Sequence, residues 1–327
     1  MLAKHRFHLN LRKDLPFDVV GLGLNAVDLV CRLPGYPNYN SKVKVSSFVR
    51  MPGGATITAV AQCGFLGMRP AYIGKVGSDD FGVFCLENMK QLPVDLSAVC
   101  VEPDSTNQFS IILVDQNNGE RTIVWDRDQK LMFRSGELQK EAVLRGSLLH
   151  LDGFDISASI ESARWARQAG IPVSLDIDFS DPELSELLPF ISFMVASTNF
   201  PGEYTGEKDL HQAMRRVQQV SGGFIAVTLG VEGALALVDG DFHHSPAFSV
   251  NAIDTTGAGD FFRAGFLYGL WRNWPLGTIM MFANAVAAYN CTKAGAQGGF
   301  CSFWDVLEFL KAHRIHLDPD TGAYQEI

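Results

Sequence analysis

The sequence predicts an α/β fold: a mainly parallel central sheet with helices on both faces and a small β-sheet lid. Three observations carry that prediction. Short apolar runs alternate with longer runs at helical spacing, the order expected when parallel strands are joined by crossover helices. The 327 residues, 47% hydrophobic and 19% charged, are enough for one large α/β domain. Two regions break the pattern, alternating polar and apolar residues in the manner of half-exposed paired strands.

In chain order, Val19–Gly23 reads as the first buried strand. Thr56–Leu66 is small and apolar at helical spacing and stops at Gly67; Ala71–Val76 reads as a strand and Phe81–Leu92 as a helix. The later strands are Ser147–Leu151, Val173–Asp176, Phe193–Ala196 and Phe224–Leu229, with helices near Ile160–Gln168 and Leu210–Val220. Lys42–Arg50 is the first alternating stretch. Gln108–Asp115 and Arg121–Trp125 are the second, joined by the turn sequence Gln116-Asn-Asn-Gly-Glu120. Segments of about 28–50 and 106–127 are therefore expected to form a lid that closes over a ligand, the plainer alternative being an edge hairpin. No repeat or low-complexity linker divides the chain, and 1–327 is read as one domain. The tail after His313 is polar and expected to be loosely held.

The net charge of −9 and pI of about 5.4, with no long basic run, disfavour nucleic-acid partners. The longest apolar stretches, such as Ile279–Tyr289, are too short or too interrupted to span a bilayer. Six widely separated cysteines show no metal spacing and read as free thiols in a reducing cytoplasm.

The most specific segment is Asp254-Thr-Thr-Gly-Ala-Gly-Asp260, followed by an apolar run from Phe261 to Leu270 that starts a helix. Unpaired amides and the positive end of the helix dipole bind anions there, and the glycines let backbone approach a phosphate. Asp260 stands where it could take a proton from a hydroxyl attacking that phosphate. The competing reading is a capped helix start with Asp254 or Thr256 as N-cap.

Gly21-Leu-Gly-Leu-Asn-Ala26 formally matches a dinucleotide fingerprint, but Pro34 and Pro37 leave no room for the required helix and no acidic ribose ligand follows. Asp28 is then a carboxylate at a strand end that could accept sugar hydroxyl protons, or else a solvated loop residue. Gly53-Gly54 before the Thr56 helix permits close approach of a ligand or makes a tight turn. Thr228 and Gly230 end a buried strand at the sheet edge that takes ligands in such folds. The small-residue helix from Asn284 through Ala287 to Gly295 packs either against a purine or against another helix.

Taken together and in order, these segments resemble the ribokinase-like (PfkB) carbohydrate kinase family from about Val19 to His313. Asp254–Gly265 carries the resemblance most strongly. Pro52-Gly53-Gly54, Gly74-Lys-Val-Gly77-x-Asp79-x-Phe81-Gly82, Thr228-Leu-Gly230 and Cys291–Ala296 add to it. The resemblance implies ATP-dependent phosphoryl transfer to a hydroxyl of a sugar or sugar-like molecule, with Mg²⁺. Asp260 would be the catalytic base and Gly257, Ala258 and Gly259 the anion hole. Asp28, Gly53, Gly54 and Thr58 would lie at the acceptor; Thr228, Gly230, Gly233, Asn284 and Ala287 at the nucleotide. Asp254, Thr256 and Gly295 would frame a monovalent-cation site that K⁺ fills. In some relatives the lid also makes a homodimer contact.

Two departures stand out. Ala55 and Thr58 replace asparagines that hold sugar hydroxyls in relatives. Ser197–Phe200 replaces the N-x-x-E motif that supports Mg²⁺ and phosphate, a motif ketohexokinase-like members also lack. Lys42, Lys44, Arg50, Arg121 and Arg127 cluster in the lid and its flanks. If Lys42 and Lys44 share an inward strand face, they and Arg121 would favour an anionic acceptor; solvated lid charges are the alternative. A nucleoside kinase, a phosphosugar kinase and a non-catalytic ligand sensor remain the competing functions.

Overall fold

The computed structural model describes residues 5–117 and 121–326. Its large sheet has nine strands: β1 (Val19–Leu22), β4 (Pro70–Gly77), β5 (Asp95–Glu102), β8 (Leu149–Leu151), β9 (Val173–Ile177), β10 (Phe193–Ser197), β11 (Phe224–Thr228), β12 (Ala234–Val238) and β13 (Asp241–Ser245). Their order is β13-β12-β11-β10-β9-β8-β1-β4-β5. Pairing is parallel from β11 through to β5, and β12 and β13 add an antiparallel edge.

Alternation along the strands builds two cores. Val19, Phe193 and Val195 point into the cluster under the helices Ala258–Trp271 and Leu276–Cys291. Val20, Leu22, Met194 and Ala196 point into the opposite one. Both faces are covered, which is why the strands read as continuous apolar runs. Those two helices approach closely because their facing surfaces are small. A Cβ on Gly265 would stand 2.7 Å from the Ala283 Cα, and one on Gly269 would stand 2.8 Å from Ile279.

A separate four-stranded sheet of order β3-β2-β6-β7 forms the lid, from β2 (Ala26–Leu33), β3 (Ser47–Gly53), β6 (Phe109–Asp115) and β7 (Arg121–Asp126). The segment after Gly21–Ala26 is thus a strand and not a dinucleotide-binding helix. Its glycines serve packing: a Cβ on Gly23 would lie 2.2 Å from both the Asp152 carboxylate and the Thr56 hydroxyl. The Asp152 Oδ2 in turn accepts from Leu24 N at 2.6 Å and Thr56 Oγ1 at 2.7 Å, tying the lid's root to the end of β8.

Three expectations need correction. The alternating stretch at Lys42 is not a strand; β3 begins at Ser47, and Lys42 and Lys44 lie exposed ahead of it. Of the expected hairpin turn, 118–120 fall outside the described residues. The tail is docked: β14 (Ile315–Leu317) pairs with β15 (Tyr324–Glu326), and Arg272 and the Trp274 indole donate to the Pro319 carbonyl at 2.7 and 3.1 Å. Asp28 lies within β2 and is 7% exposed, so it is neither a strand end nor a solvated loop residue. No described helix is long and apolar enough to cross a membrane.

Candidate active site

The helix Ala258–Trp271 begins three residues earlier than its apolar run suggests, so Ala258, Gly259 and Asp260 form its first turn. Its N-cap is Gly257, not Asp254 or Thr256, and no side chain caps it. Gly257 has φ +78°, and a Cβ there would lie 2.4 Å from the Ala296 carbonyl, so only glycine suits the position. The Ala258 amide is used by the Thr255 carbonyl at 3.2 Å, whereas those of Gly259 and Asp260 have no acceptor among the described residues. An uncapped helix start with free amides and a positive dipole end is an anion cradle.

Asp260 stands at this start with its side chain 16% exposed. Burial pushes its carboxyl well above the ordinary carboxylate range. The Arg263 guanidinium opposes the rise, and Asp178, Asp28 and Asp152 add to it. Across the cleft, Asp28 is raised to about 6, first by burial, with the Ser110 hydroxyl lowering it and Asp254 raising it further. Gly53 makes room for this carboxylate, since a Cβ there would meet Asp28 Oδ2 at 2.3 Å. Gly54, at φ +103°, caps the helix Ala55–Phe65 and passes within 2.4 Å of the Asn25 Cα if given a Cβ.

Register aligns Met51, Asp28, Ser110 and Trp125 across the lid. Directly paired residues share a face, so all four look the same way as Asp28. Trp125 packs edge-on to Phe154, which packs on Phe179, so one apolar wall runs from the lid to the ends of β8 and β9. Arg32, Val114 and Arg121 align on that face farther along. Arg121 Nη1 donates to Thr255 Oγ1 at 2.6 Å, and a small pocket there is lined by Arg32, Arg121 and Asp254. Arg121 thus joins the lid to the cradle loop, while Lys42 forms no ion pair among the described residues.

Asp254 accepts from the Thr256 amide at 2.9 Å and the Gly295 amide at 3.0 Å. Burial alone would raise its carboxyl; those hydrogen bonds and the charge of Arg32 outweigh it and hold it below its ordinary value. The carboxylate keeps lone pairs for a cation beside the Thr256 loop. Among the described residues no cluster of three His, Cys, Asp or Glu suits a metal ion. Mg²⁺ therefore fits here as an ion carried on nucleotide phosphates and water, the way it is usually held at such sites.

Two predicted contacts are used elsewhere. Thr58 is fully buried and its hydroxyl accepts from Gln297 at 3.0 Å, so it does not face the cleft. Asn284 is buried and donates to the Ser245 backbone and hydroxyl at 3.1 and 3.0 Å, tying its helix to β13. Ala287 is half-buried against the core. Thr228 ends β11, and Gly230 and Gly233, at φ +60° and +99°, form the turn into β12 at the sheet edge.

One buried, ion-paired residue near the site escaped the sequence reading. Arg263, 4% exposed, donates from Nη2 to Asp178 at 3.0 Å and pairs with Asp176 at 2.5 Å. The signal was present: it is the one charged residue between Phe261 and Trp271, inside an otherwise apolar helix.

A model of the pfkB family of carbohydrate kinases matches residues 17–301. The chain belongs to that family. It is 25% identical over 297 residues to a ribokinase of Lactococcus lactis, covering 90% of this chain and 98% of that one. Its fold matches a solved Agrobacterium tumefaciens protein assigned as a ribokinase, with TM-score 0.83, 24% identity and coverage of 91% and 98%. An E. coli protein assigned as a ribokinase II, solved with ATP and Mg²⁺, matches with TM-score 0.79, 18% identity and coverage of 91% and 100%. At Ser197–Phe200, where the resemblance implies N-x-x-E, Phe200 is wholly buried in the core.

Proposed function

We propose that this chain is an ATP-dependent kinase that transfers the γ-phosphate to a hydroxyl of a sugar or sugar-like small molecule. The observation that carries the reading is the uncapped cradle at Gly257–Gly259 with Asp260 in its first turn and the lid carboxylate Asp28 close enough for its charge to reach it. The acceptor lies between Asp28, Gly53 and Gly54 on one side and the wall of Trp125 and Phe154 on the other. Asp28 accepts its hydroxyls. Asp260 orients the attacking hydroxyl and takes its proton, late in a loose transition state. The free amides of Gly259 and Asp260 face the developing charge, with Gly257 and Ala258 forming the turn that presents them. Mg²⁺ carried by ATP neutralises charge on the transferred group. Thr228, Gly230 and Gly233 line the nucleotide side.

Family membership and the likeness to an ATP-bound and Mg²⁺-bound structure support ATP and Mg²⁺ as ligands. Asp254, Thr256 and Gly295 support a K⁺ site that orders the cradle loop. The chain works as one domain in the cytoplasm, and the exposed apolar lid supports a homodimer. Measuring ADP release against a panel of neutral sugars, sugar acids, phosphosugars and nucleosides tests the reading. Stimulation by at least one of them is expected; ADP release that none of them stimulates would favour the non-catalytic sensor. Nucleoside acceptors keep a specific support, the aromatic wall, which suits a flat base as well as a sugar ring. Anionic acceptors retain only Arg32 and Arg121, because Lys42 is outside the lid strand.

A further inference from the structure

Arg263 sits one helical turn after Asp260, inside the protein and beneath the cradle. Its guanidinium is held from three sides. Nη2 bonds Asp176 and Asp178 at the end of β9, and Nε donates to the Val195 carbonyl of β10 at 3.4 Å. This leaves Nη1 directed along its own helix, 4.0 Å from Asp260 Oδ1. It passes so near the cradle that a Cβ on Gly259 would stand 2.3 Å from it. A planar fork pinned at two of its nitrogens cannot swing away, so the third is presented at a fixed place.

We propose that Arg263 is a positioning residue for phosphoryl transfer, holding a fixed positive charge beside the Asp260 carboxylate beneath the cradle. The inference rests on the reading of Asp260 as the base.

The groups around Asp260 make the sign of the effect definite. Asp176 and Asp178 face it from the end of β9, Asp152 from the end of β8 and Asp28 from the lid; each disfavours its ionisation. Burial, and then the charge of Arg263, push His150 on β8 down to about 3, so it brings no second cation. Arg263 is the cation that opposes these carboxylates. Without it the base would keep its proton to higher pH.

The test is the pH dependence of kcat. Arg263→Gln should move the acidic limb upward by about one pH unit, lowering turnover about tenfold at any pH below the limb while ATP affinity by calorimetry is unchanged. Arg263→Lys, which keeps the charge, should return the limb toward its wild-type place. Because Arg263→Gln leaves Asp176 buried without a partner, Asp176→Asn/Arg263→Gln provides a charge-balanced background. Its limb should lie above that of Asp176→Asn alone. An arginine with a merely structural role would lower Tm and kcat without moving the limb in either background, and that result would overturn the inference. Asp260→Asn separates the two readings. If it abolishes turnover while the limb of Arg263→Gln is unmoved, the base stands and the role of Arg263 falls. If it retains turnover, both fall.

Discussion

Asp260 and Asp28 are carboxylates whose ionised forms burial disfavours, and each keeps its place because something else needs the charge. In the proposed function, the need at Asp260 is proton transfer. Asp260→Asn keeps shape and part of the hydrogen bonding but removes the base, so kcat should fall by about two to four decades with little change in nucleotide affinity. Near-normal turnover in the variant, measured by coupled ADP release, would reject the role. In the proposed function, the need at Asp28 is the acceptor. Its folded pKa of about 6 lies above the ordinary aspartate value, so the folded state binds the proton more tightly than the unfolded chain. The charge therefore costs stability above pH 6, and the cost disappears as pH falls through 6 toward 4. Asp28→Asn should raise Tm by about 2–6 °C at pH 8, show no gain at pH 4, and raise the acceptor KM at least tenfold by about the loss of one charged hydrogen bond. A Tm gain equal at both pH values would mean that the charge is not strained. Asp260 could be picked out from the sequence because it closes Gly257-Ala-Gly259, and Asp28 because no dinucleotide-binding helix fits after Gly21–Ala26. Arg263 could have been, and was not, because an arginine in an apolar helix reads as an interruption until the carboxylates that surround it are known.

The cradle and the lid are elements whose sequence signals differ in strength. The cradle segment was legible, since two glycines one residue apart before an apolar helix have few uses, but its N-cap and first turn were not, and Gly257→Val tests it. A branched side chain at φ +78° beside the Ala296 carbonyl should abolish ATP binding by calorimetry and turnover together, with the far-UV circular dichroism retained. Unchanged binding would place the phosphates elsewhere. The lid was legible as a β insert but not in its register, because β2 follows a glycine motif that serves two kinds of fold and β3 starts after its most basic residues. The polar edge strand β13 and the half-exposed β5 lacked the apolar runs that marked the interior strands. Register now gives the lid a test of its own. Trp125 shares a face with Asp28 and meets Phe154, so Trp125→Ala should raise the acceptor KM about tenfold or more and leave the KM for ATP within about twofold. An equal rise in both would show that the wall serves lid closure and not the acceptor.

At the scale of the whole molecule, the lid extends from the body as a small sheet whose outer portions are apolar and wet. Phe48 and Val49 of β3 and Ile123, Val124 and Trp125 of β7 are each about half exposed, a concentration that solvent-facing strands ordinarily avoid. This apolar region is where the proposed contact with a second copy of the chain would form. A homodimer through the lids would cover these side chains and place each lid's position under the control of its neighbour, which couples assembly to the closure that excludes water. Phe48 and Val124 lie on the face away from Asp28, so changing them leaves the acceptor contacts in place. Sedimentation equilibrium should give twice 35.9 kDa for the wild-type chain. Phe48→Asp/Val124→Asp should bring it to the single-chain mass, because two buried carboxylates per subunit would face their symmetry mates across the contact. The dissociated form should bind ATP normally and show a raised acceptor KM. A wild-type chain that stays monomeric at micromolar concentration would remove the dimer. A dimer unaffected by the double change would place its interface outside the lid, leaving Phe48 and Val124 as solvent-facing residues of a lid that each subunit closes alone.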